Sequence, residues 1–286
     1  MPKVNISHVS IAYQDEGRGF PVVFAHEFAG DMTSWEAQCS HFSERYRVIS
    51  YNAVGYPPSD VPVDLALYER SQQIANLRGL LSHLGVERAH IVGLSMGAHM
   101  AIGFALAHPA MTCSLVAAGA GAGATNVRAY QKDMNARASV LENEGMKGLD
   151  TYVYGPTRSG FRQRDPQGWR HFANGFAGHS AEGSARTLRG YQARRPSLYA
   201  LEVDLRTSTV PTLVIVGDED EPCLDPSLYL KRTIPRSGLV VMPQTGHAVN
   251  IERPTEFNAA LDAFFSEVES GGWFSFNGGS EGPRKR

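Results

Sequence analysis

Apolar and polar positions along the chain fall into two alternating periods. "PVVFAHEF" (21–28) is a short continuous apolar run, the pattern of a parallel strand buried on both faces. "RVISYNAV" (47–54), "RAHIVGLS" (88–95), "CSLVAAGAGAG" (113–123), "VPTLVIVGDED" (210–220) and "SGLVVMPQTGH" (237–247) repeat it. Between them lie helical stretches. "ERSQQIANLRGLLSHLG" (69–85) places Ile74, Leu77, Leu81 and Leu84 on one face and stops at Gly85. "TSWEAQCSHFSERY" is a second, with Thr33 or Ser34 as the expected cap. "MGAHMAIGFALAHPA", "DPSLYLKRTI" and "RPTEFNAALDAFFSEVES" are three more. At the start, "VNISHVSIAYQDEG" alternates as an opening β-ribbon does. Strands alternating with helices predict a parallel sheet covered on both faces.

The alternation stops over residues 124–208, which are polar, helical in pattern and dotted with aromatic rings. So long an interruption predicts a separately folded helical insert rather than a loop. The predicted organisation is a core of residues 1–123 and 209–270, an insert of 124–208 and a tail of 271–286. The tail, "GGWFSFNGGSEGPRKR", is expected to be disordered or loosely docked.

Composition narrows the function classes. The chain has 286 residues, a net charge of -2, 42% hydrophobic and 20% charged residues, as a globular protein has. There is no global basic footprint for nucleic acid, and no apolar run long enough for a membrane span. The first residues lack a signal-peptide pattern. Cys39, Cys113 and Cys223 form neither a disulfide framework nor a zinc motif. Together these predict a cytoplasmic protein with no nucleic-acid or membrane partner. A homodimer is left open.

The chemistry centres on "IVGLSMGAHMA" (91–101). An apolar strand ends in Ser95, flanked by Gly93 and Gly97, and a helix begins at once. Such a turn forces a strained backbone, excludes bulky neighbours and lifts the hydroxyl into the open at a helix N-terminus. A serine hydroxyl needs a base. Of the 10 histidines, His247 follows a predicted strand at its carboxyl end, where sites form in parallel sheets. The loop "VIVGDEDEPCLDP" offers Asp218, Glu219, Asp220, Glu221 and Asp225 as acids to orient the imidazole.

The chain resembles the α/β-hydrolase fold family, in its serine-nucleophile branch, over residues 3–270. The order serine, acid, histidine is that family's order. "FAHEFAGDMTSW" is similar to its oxyanion segment, "YNAVGYPPSD" to its glycine-rich loop, "VGDEDEP" to its acid loop and "GHAVNIERPTEFN" to its histidine segment. The resemblance implies an α/β fold with a mostly parallel eight-stranded sheet and a helical lid after the sixth strand. It implies Ser95, Asp220 and His247 as the catalytic set, with Asp218 and Asp225 as runners-up for the acid. It also implies the backbone N–H groups of Phe28 and Met96 as oxyanion hole. Two departures stand out. Glu27 replaces a glycine, and its carboxylate opposes the oxyanion, turns aside and pairs, or faces a cationic part of the substrate. Asn52 and Val54 replace the usual Asp and Arg, which removes an ion pair from that loop.

The insert holds an excess of basic over acidic side chains, against an acidic remainder. "QRDPQGWRHFANGF" and "RTLRGYQARRPSLY" mix arginine with Trp169, Phe172, Phe176, Tyr191 and Tyr199. They read either as an aromatic pocket wall with an arginine for a carboxylate, or as insert core with solvated arginines. The reading is a serine hydrolase of a small carboxylic ester or lactone, acting through an acyl-enzyme, with no metal or cofactor implied. The alternatives are a C–C hydrolase of a ring-cleavage diketone, a cofactor-free perhydrolase, and a non-catalytic receptor on the same fold. Epoxide hydrolase and haloalkane dehalogenase chemistry need an aspartate at position 95.

Overall fold

The computed structural model describes residues 1–123 and 126–274. Eight strands form one sheet: β1 (Lys3–Ile6), β2 (Val9–Gly17), β3 (Phe20–Ala25), β4 (Tyr46–Tyr51), β5 (Ala89–Leu94), β6 (Thr112–Ala118), β7 (Thr212–Gly217) and β8 (Ser237–Met242). Their spatial order is β1-β2-β4-β3-β5-β6-β7-β8. The β1–β2 and β2–β4 pairs are antiparallel and the other five are parallel. Every residue of β5, β6 and β7 is buried, which is why these strands read as continuous apolar runs.

Core helices α1 (Glu36–Phe42), α2 (Arg70–His83) and α3 (Met96–Ala107) follow β3, β4 and β5. Between β6 and β7 the chain is helical: α4 (Val127–Glu144), α5 (Asp150–Tyr154), α6 (Pro156–Arg164), α7 (Pro166–Ala177), α8 (Ala181–Thr187) and α9 (Glu202–Thr207). Then α10 (Glu221–Thr233) follows β7, and α11 (Val249–Glu252) and α12 (Pro254–Glu269) follow β8. Two apolar cores lie on the two faces of the sheet. One runs from β1 and α2 through α3 into the insert. The other packs Phe24, Trp35 and Phe42 against Phe257, Phe264 and Phe265 of α12. Among the described residues no helix is long and apolar enough to cross a membrane.

Two local readings change, and part of the tail is located. Neither Thr33 nor Ser34 caps α1, which starts after Trp35 without a side-chain cap; the cap is Asp31, and it serves the turn ahead of the helix. Asp31 accepts from Thr33 N–H at 2.8 Å, and Ser34 Oγ accepts from Asp31 N–H at 3.1 Å, closing a 3-10 turn over Met32–Trp35 ahead of the helix. α10 starts at Glu221 rather than Asp225: Pro222 stands in its first turn, where a missing N–H costs nothing, and Pro226 is carried inside the helix. Of the tail, Trp273 is docked: its Nε1 donates to Arg236 O at 2.8 Å and its ring packs 4.7 Å from Phe264. Residues 275–286, where the rest of the expected disordered tail falls, lie outside the described residues.

The junction of β5 and α3 is where the fold is tightest. A Cβ on Gly93 would lie 2.2 Å from Gly97 O, and one on Gly97 would lie 2.1 Å from Ala25 O in β3. Ser95 between them has φ 55° and ψ -109°. Only two glycines let α3 start this close to its own strand and to the neighbouring one. Gly97→Ala therefore has to push β3 from α3, and backbone atoms cannot rotate away as side chains do. The expected cost is at the upper end of overpacking, about 3 kcal/mol, or roughly 6–12 °C in melting temperature. A thermal melt by circular dichroism checks it, and an unchanged midpoint contradicts the contact.

Candidate active site

Ser95 is the turn residue itself, half-buried, with the hydroxyl on a cavity of about 490 Å³ between the sheet's carboxyl edge and the insert. Its N–H is held by Ala118 O of β6 at 2.8 Å. Met96 opens α3, so its N–H has no carbonyl one turn back, and no acceptor binds it among the described residues. Phe28 N–H is likewise without an acceptor among the described residues. The segment carrying Phe28 is braced from two sides. Ala53 N–H donates to His26 Nε2 at 3.0 Å, so His26 carries its proton on Nδ1 and donates it to Glu27 O at 2.7 Å. Burial keeps that imidazole neutral by lowering its pKa. Tyr56 Oη donates to Phe28 O at 2.9 Å. Asn52, which stands where an aspartate was usual, spans the loop as a neutral brace: it accepts from Met32 N–H and donates to Pro57 O, each at 2.8 Å.

His247 follows β8 and lies on the same cavity as Ser95. Its Nδ1 is 2.7 Å from Asp220 Oδ2, and Asp220 is 1% exposed. A buried carboxylate accepting from Nδ1–H fixes the tautomer and leaves Nε2 as the basic nitrogen. Burial works against the imidazolium, but Asp220's charge and hydrogen bond outweigh it and raise His247 above its ordinary range. For Asp220 burial pushes up, while His247, Cys223 and Arg158 together hold the carboxyl below its usual range. Of the other acids, Asp218 is exposed and accepts from Thr245 N–H at 3.2 Å, and Asp225 is exposed on α10. Ser95 Oγ and His247 Nε2 share the cavity without a hydrogen bond between them.

The sequence pattern did not point to three neighbours of this cluster. Cys223 Sγ lies 3.9 Å from His247 Nδ1 and 3.4 Å from Gly119 O, and burial pushes its thiol well up. With Asp220 and His247 it offers three donor atoms within 4.8 Å of one another, but the Nδ1–Asp220 hydrogen bond already uses two of them. Thr157 of α6 accepts the His247 N–H at 3.0 Å, an approach that a Cβ on Gly246 would block at 2.1 Å from that same oxygen. Arg158 of α6, 3% exposed, donates to Glu27 Oε2 at 2.5 Å. Glu27 thus combines the two positions expected of it. It is paired, and it also faces inward, with Oε2 3.9 Å from His247 Nε2. The one signal in the sequence was Glu27 itself, a carboxylate at a glycine's place that demands a cation from elsewhere.

The fold and this cluster define a hydrolase of the α/β class. The model of the alpha/beta hydrolase family matches residues 22–260, and the chain belongs to that family. It is similar to 3-oxoadipate enol-lactonase 2 of Acinetobacter baylyi, 26% identical over 85% of this chain and 87% of that protein. It is also similar to a 2-hydroxy-6-oxononadienedioate/2-hydroxy-6-oxononatrienedioate hydrolase 2 of Pseudomonas putida, 30% identical over 87% and 89%. Among solved structures, a thermophilic esterase from Thermogutta terrifontis superposes with a TM-score of 0.85, at 27% identity over 93% of this chain and 98% of that one.

Asp220→Asn is expected to lower turnover about 10⁴-fold, because an amide favours the wrong imidazole tautomer. Asp218→Asn and Asp225→Asn are expected to stay within a few-fold of the parent. Steady-state rates of the three variants on one substrate decide it, and a larger loss at Asp218 or Asp225 moves the acid to that residue.

Proposed function

We propose that the chain is a serine hydrolase of small carboxylic esters or lactones that bear a carboxylate. Ser95 Oγ attacks the carbonyl carbon while His247 Nε2 takes its proton. Asp220 keeps the imidazole aligned and stabilises the imidazolium. The Phe28 and Met96 N–H groups receive the oxyanion, and each such donor is worth about 3 kcal/mol of transition-state stabilisation. Collapse expels the alcohol, or the ring oxygen of a lactone, which takes the proton from His247. Water, deprotonated by the same nitrogen, then attacks the acyl-enzyme, releases the acid and restores Ser95. No metal or cofactor is needed for these steps. The observation that carries the reading is the buried 2.7 Å His247–Asp220 contact on the cavity that Ser95 enters from its strained turn.

The carboxylate part rests on Arg195. Three arginines line the cavity. Arg137 is paired with Asp133 at 2.9 Å and Arg158 with Glu27. Arg195 donates to Gln192 Oε1 at 2.7 Å and Tyr130 Oη at 3.2 Å, both neutral, and its buried Nη1 has no partner. Among the described residues no acid lies within ion-pair distance of it. A buried guanidinium edge without a counter-ion is a receptor for a carboxylate, which it can bind through two N–H groups. The relatives named for an oxoadipate lactone and for a dienedioate support an acidic substrate. The dienedioate hydrolase also favours a second reading, hydrolysis of a C–C bond beside a carbonyl by the same residues.

A panel of short esters, lactones and vinylogous diketones, each with and without a terminal carboxylate, tests the reading. Ester or lactone turnover is expected, lost by a factor on the order of 10⁴–10⁶ in Ser95→Ala. If Ser95→Ala keeps a tenth of the rate, the nucleophile is another residue. If only the diketones turn over, the second reading replaces the first. Arg195→Gln is expected to raise KM about tenfold or more for the acidic members and to leave the neutral ones within a few-fold. Equal losses on both would contradict the carboxylate site.

A further inference from the structure

The Glu27–Arg158 pair joins the oxyanion segment after β3 to α6 of the insert. Both side chains are buried, at 1% and 4% exposure. The Arg158 guanidinium is seated over the rings of Tyr152, at 4.8 Å, and Phe172, at 5.1 Å. Tyr152 in turn packs edge-on against Phe28, the expected oxyanion donor, at 5.5 Å. Glu27 Oε1 and Arg158 Nε are buried without hydrogen-bond partners, so one hydrogen bond, between Oε2 and Nη2, joins the two charges.

That same Oε2 is 3.9 Å from His247 Nε2, the nitrogen that must exchange its proton with Ser95 and the leaving group. An uncompensated carboxylate there stabilises the imidazolium, accepts its Nε2–H after a shift of about 1 Å, and so leaves less of the neutral base to take the Ser95 proton. We propose that Arg158 is a positioning residue: by holding the Glu27 carboxylate it keeps His247 Nε2 free for Ser95, so that docking of α6 completes the catalytic centre. This rests on the assignment of His247 as the base. Two further contacts tie α6 to the same centre: Thr157 O holds the His247 N–H, and Arg164 grips Glu219 of the acid loop at 2.8 and 2.6 Å.

The charged and titratable groups facing His247 are few. Asp220 lies on Nδ1 with the Cys223 thiol of α10 beside it, and Glu27 and Arg158 lie on the other side. Glu252 of α11 holds the flanking Gly246 and Ala248 N–H groups, at 2.9 and 3.2 Å. Only the Glu27–Arg158 pair changes in the variants below, so its two halves act on the imidazole with opposite signs. Removing the cation leaves a lone carboxylate that stabilises imidazolium. Removing the carboxylate leaves a lone cation that destabilises it.

The test is the pH profile of kcat/KM for Arg158→Gln, Glu27→Gln, the double variant and Arg158→Lys, on a neutral ester. Arg158→Gln should move the acid limb up by about one unit or more and lower kcat at least tenfold at neutral pH, as an unscreened opposite charge at this range does. Glu27→Gln should move the limb down. The double variant should recover most of kcat and return the limb towards the parent, and Arg158→Lys should keep the limb near it. A thermal melt of each variant separates folding loss, and if Arg158→Gln does not fold, the downward shift in Glu27→Gln carries the test alone. Limbs that move together, or do not move while the variants stay folded, overturn the proposal. If Ser95→Ala retains activity, the base assignment fails instead, and the two failures are told apart by that control.

Discussion

The strand-to-helix turn at Ser95 is the constraint on which the site depends. A non-glycine residue at φ 55° carries local strain, of about 1–3 kcal/mol, and persists only where the surroundings over-determine it. Here β5 is fully buried between β3 and β6, α3 is buried along ten of its residues, and two glycines remove every Cβ that would force them apart. The same geometry sets the serine hydroxyl on the cavity and leaves the Met96 N–H free beside it. The strain and the proposed nucleophile thus sit on one residue, and the sheet holds them there.

The insert is more than a cover. Its α6 supplies the carbonyl that fixes the His247 backbone, the arginine that grips the acid loop and the cation that neutralises Glu27. Its basic excess is spent in two ways. Arg158 and Arg164 compensate acids of the core, whereas Arg195 is left facing the cavity without one. Breaking a buried pair exposes an uncompensated charge, so these contacts couple the placement of the insert to the electrostatics of the imidazole.

Much of this was legible in the sequence, and the reason is local. The turn at Ser95 needs glycines two residues to either side, a pattern that survives without knowledge of the rest. The parallel strands are buried on both faces, so their apolar runs announce them. His247 and Asp220 each follow such a run, and the family resemblance singled out Asp220 among the acid loop's five carboxylates before the fold showed it buried against His247. Less was legible where partners come from distant segments. Arg158 lies 131 positions from Glu27 and carries no motif, so the sequence left Glu27 between facing inward and pairing. The expected cap at Thr33 or Ser34 gave way to Asp31 because a 3-10 turn precedes α1, and in that turn Ser34 makes only the reciprocal bond. Cys223 belonged to no disulfide or zinc pattern, and its place beside His247 follows from α10 starting one turn earlier than its pattern showed.

The most direct measurement of the central claim is the mass of the protein caught during turnover of an activated ester such as p-nitrophenyl acetate. Acid quench within the burst, followed by digestion and mass spectrometry, should find one acyl group per chain. It should lie on the peptide that contains Ser95, and be absent when Ser95 is alanine. An acyl group on Cys223 or on any other peptide, or turnover with no adduct at all, would contradict a serine acyl-enzyme.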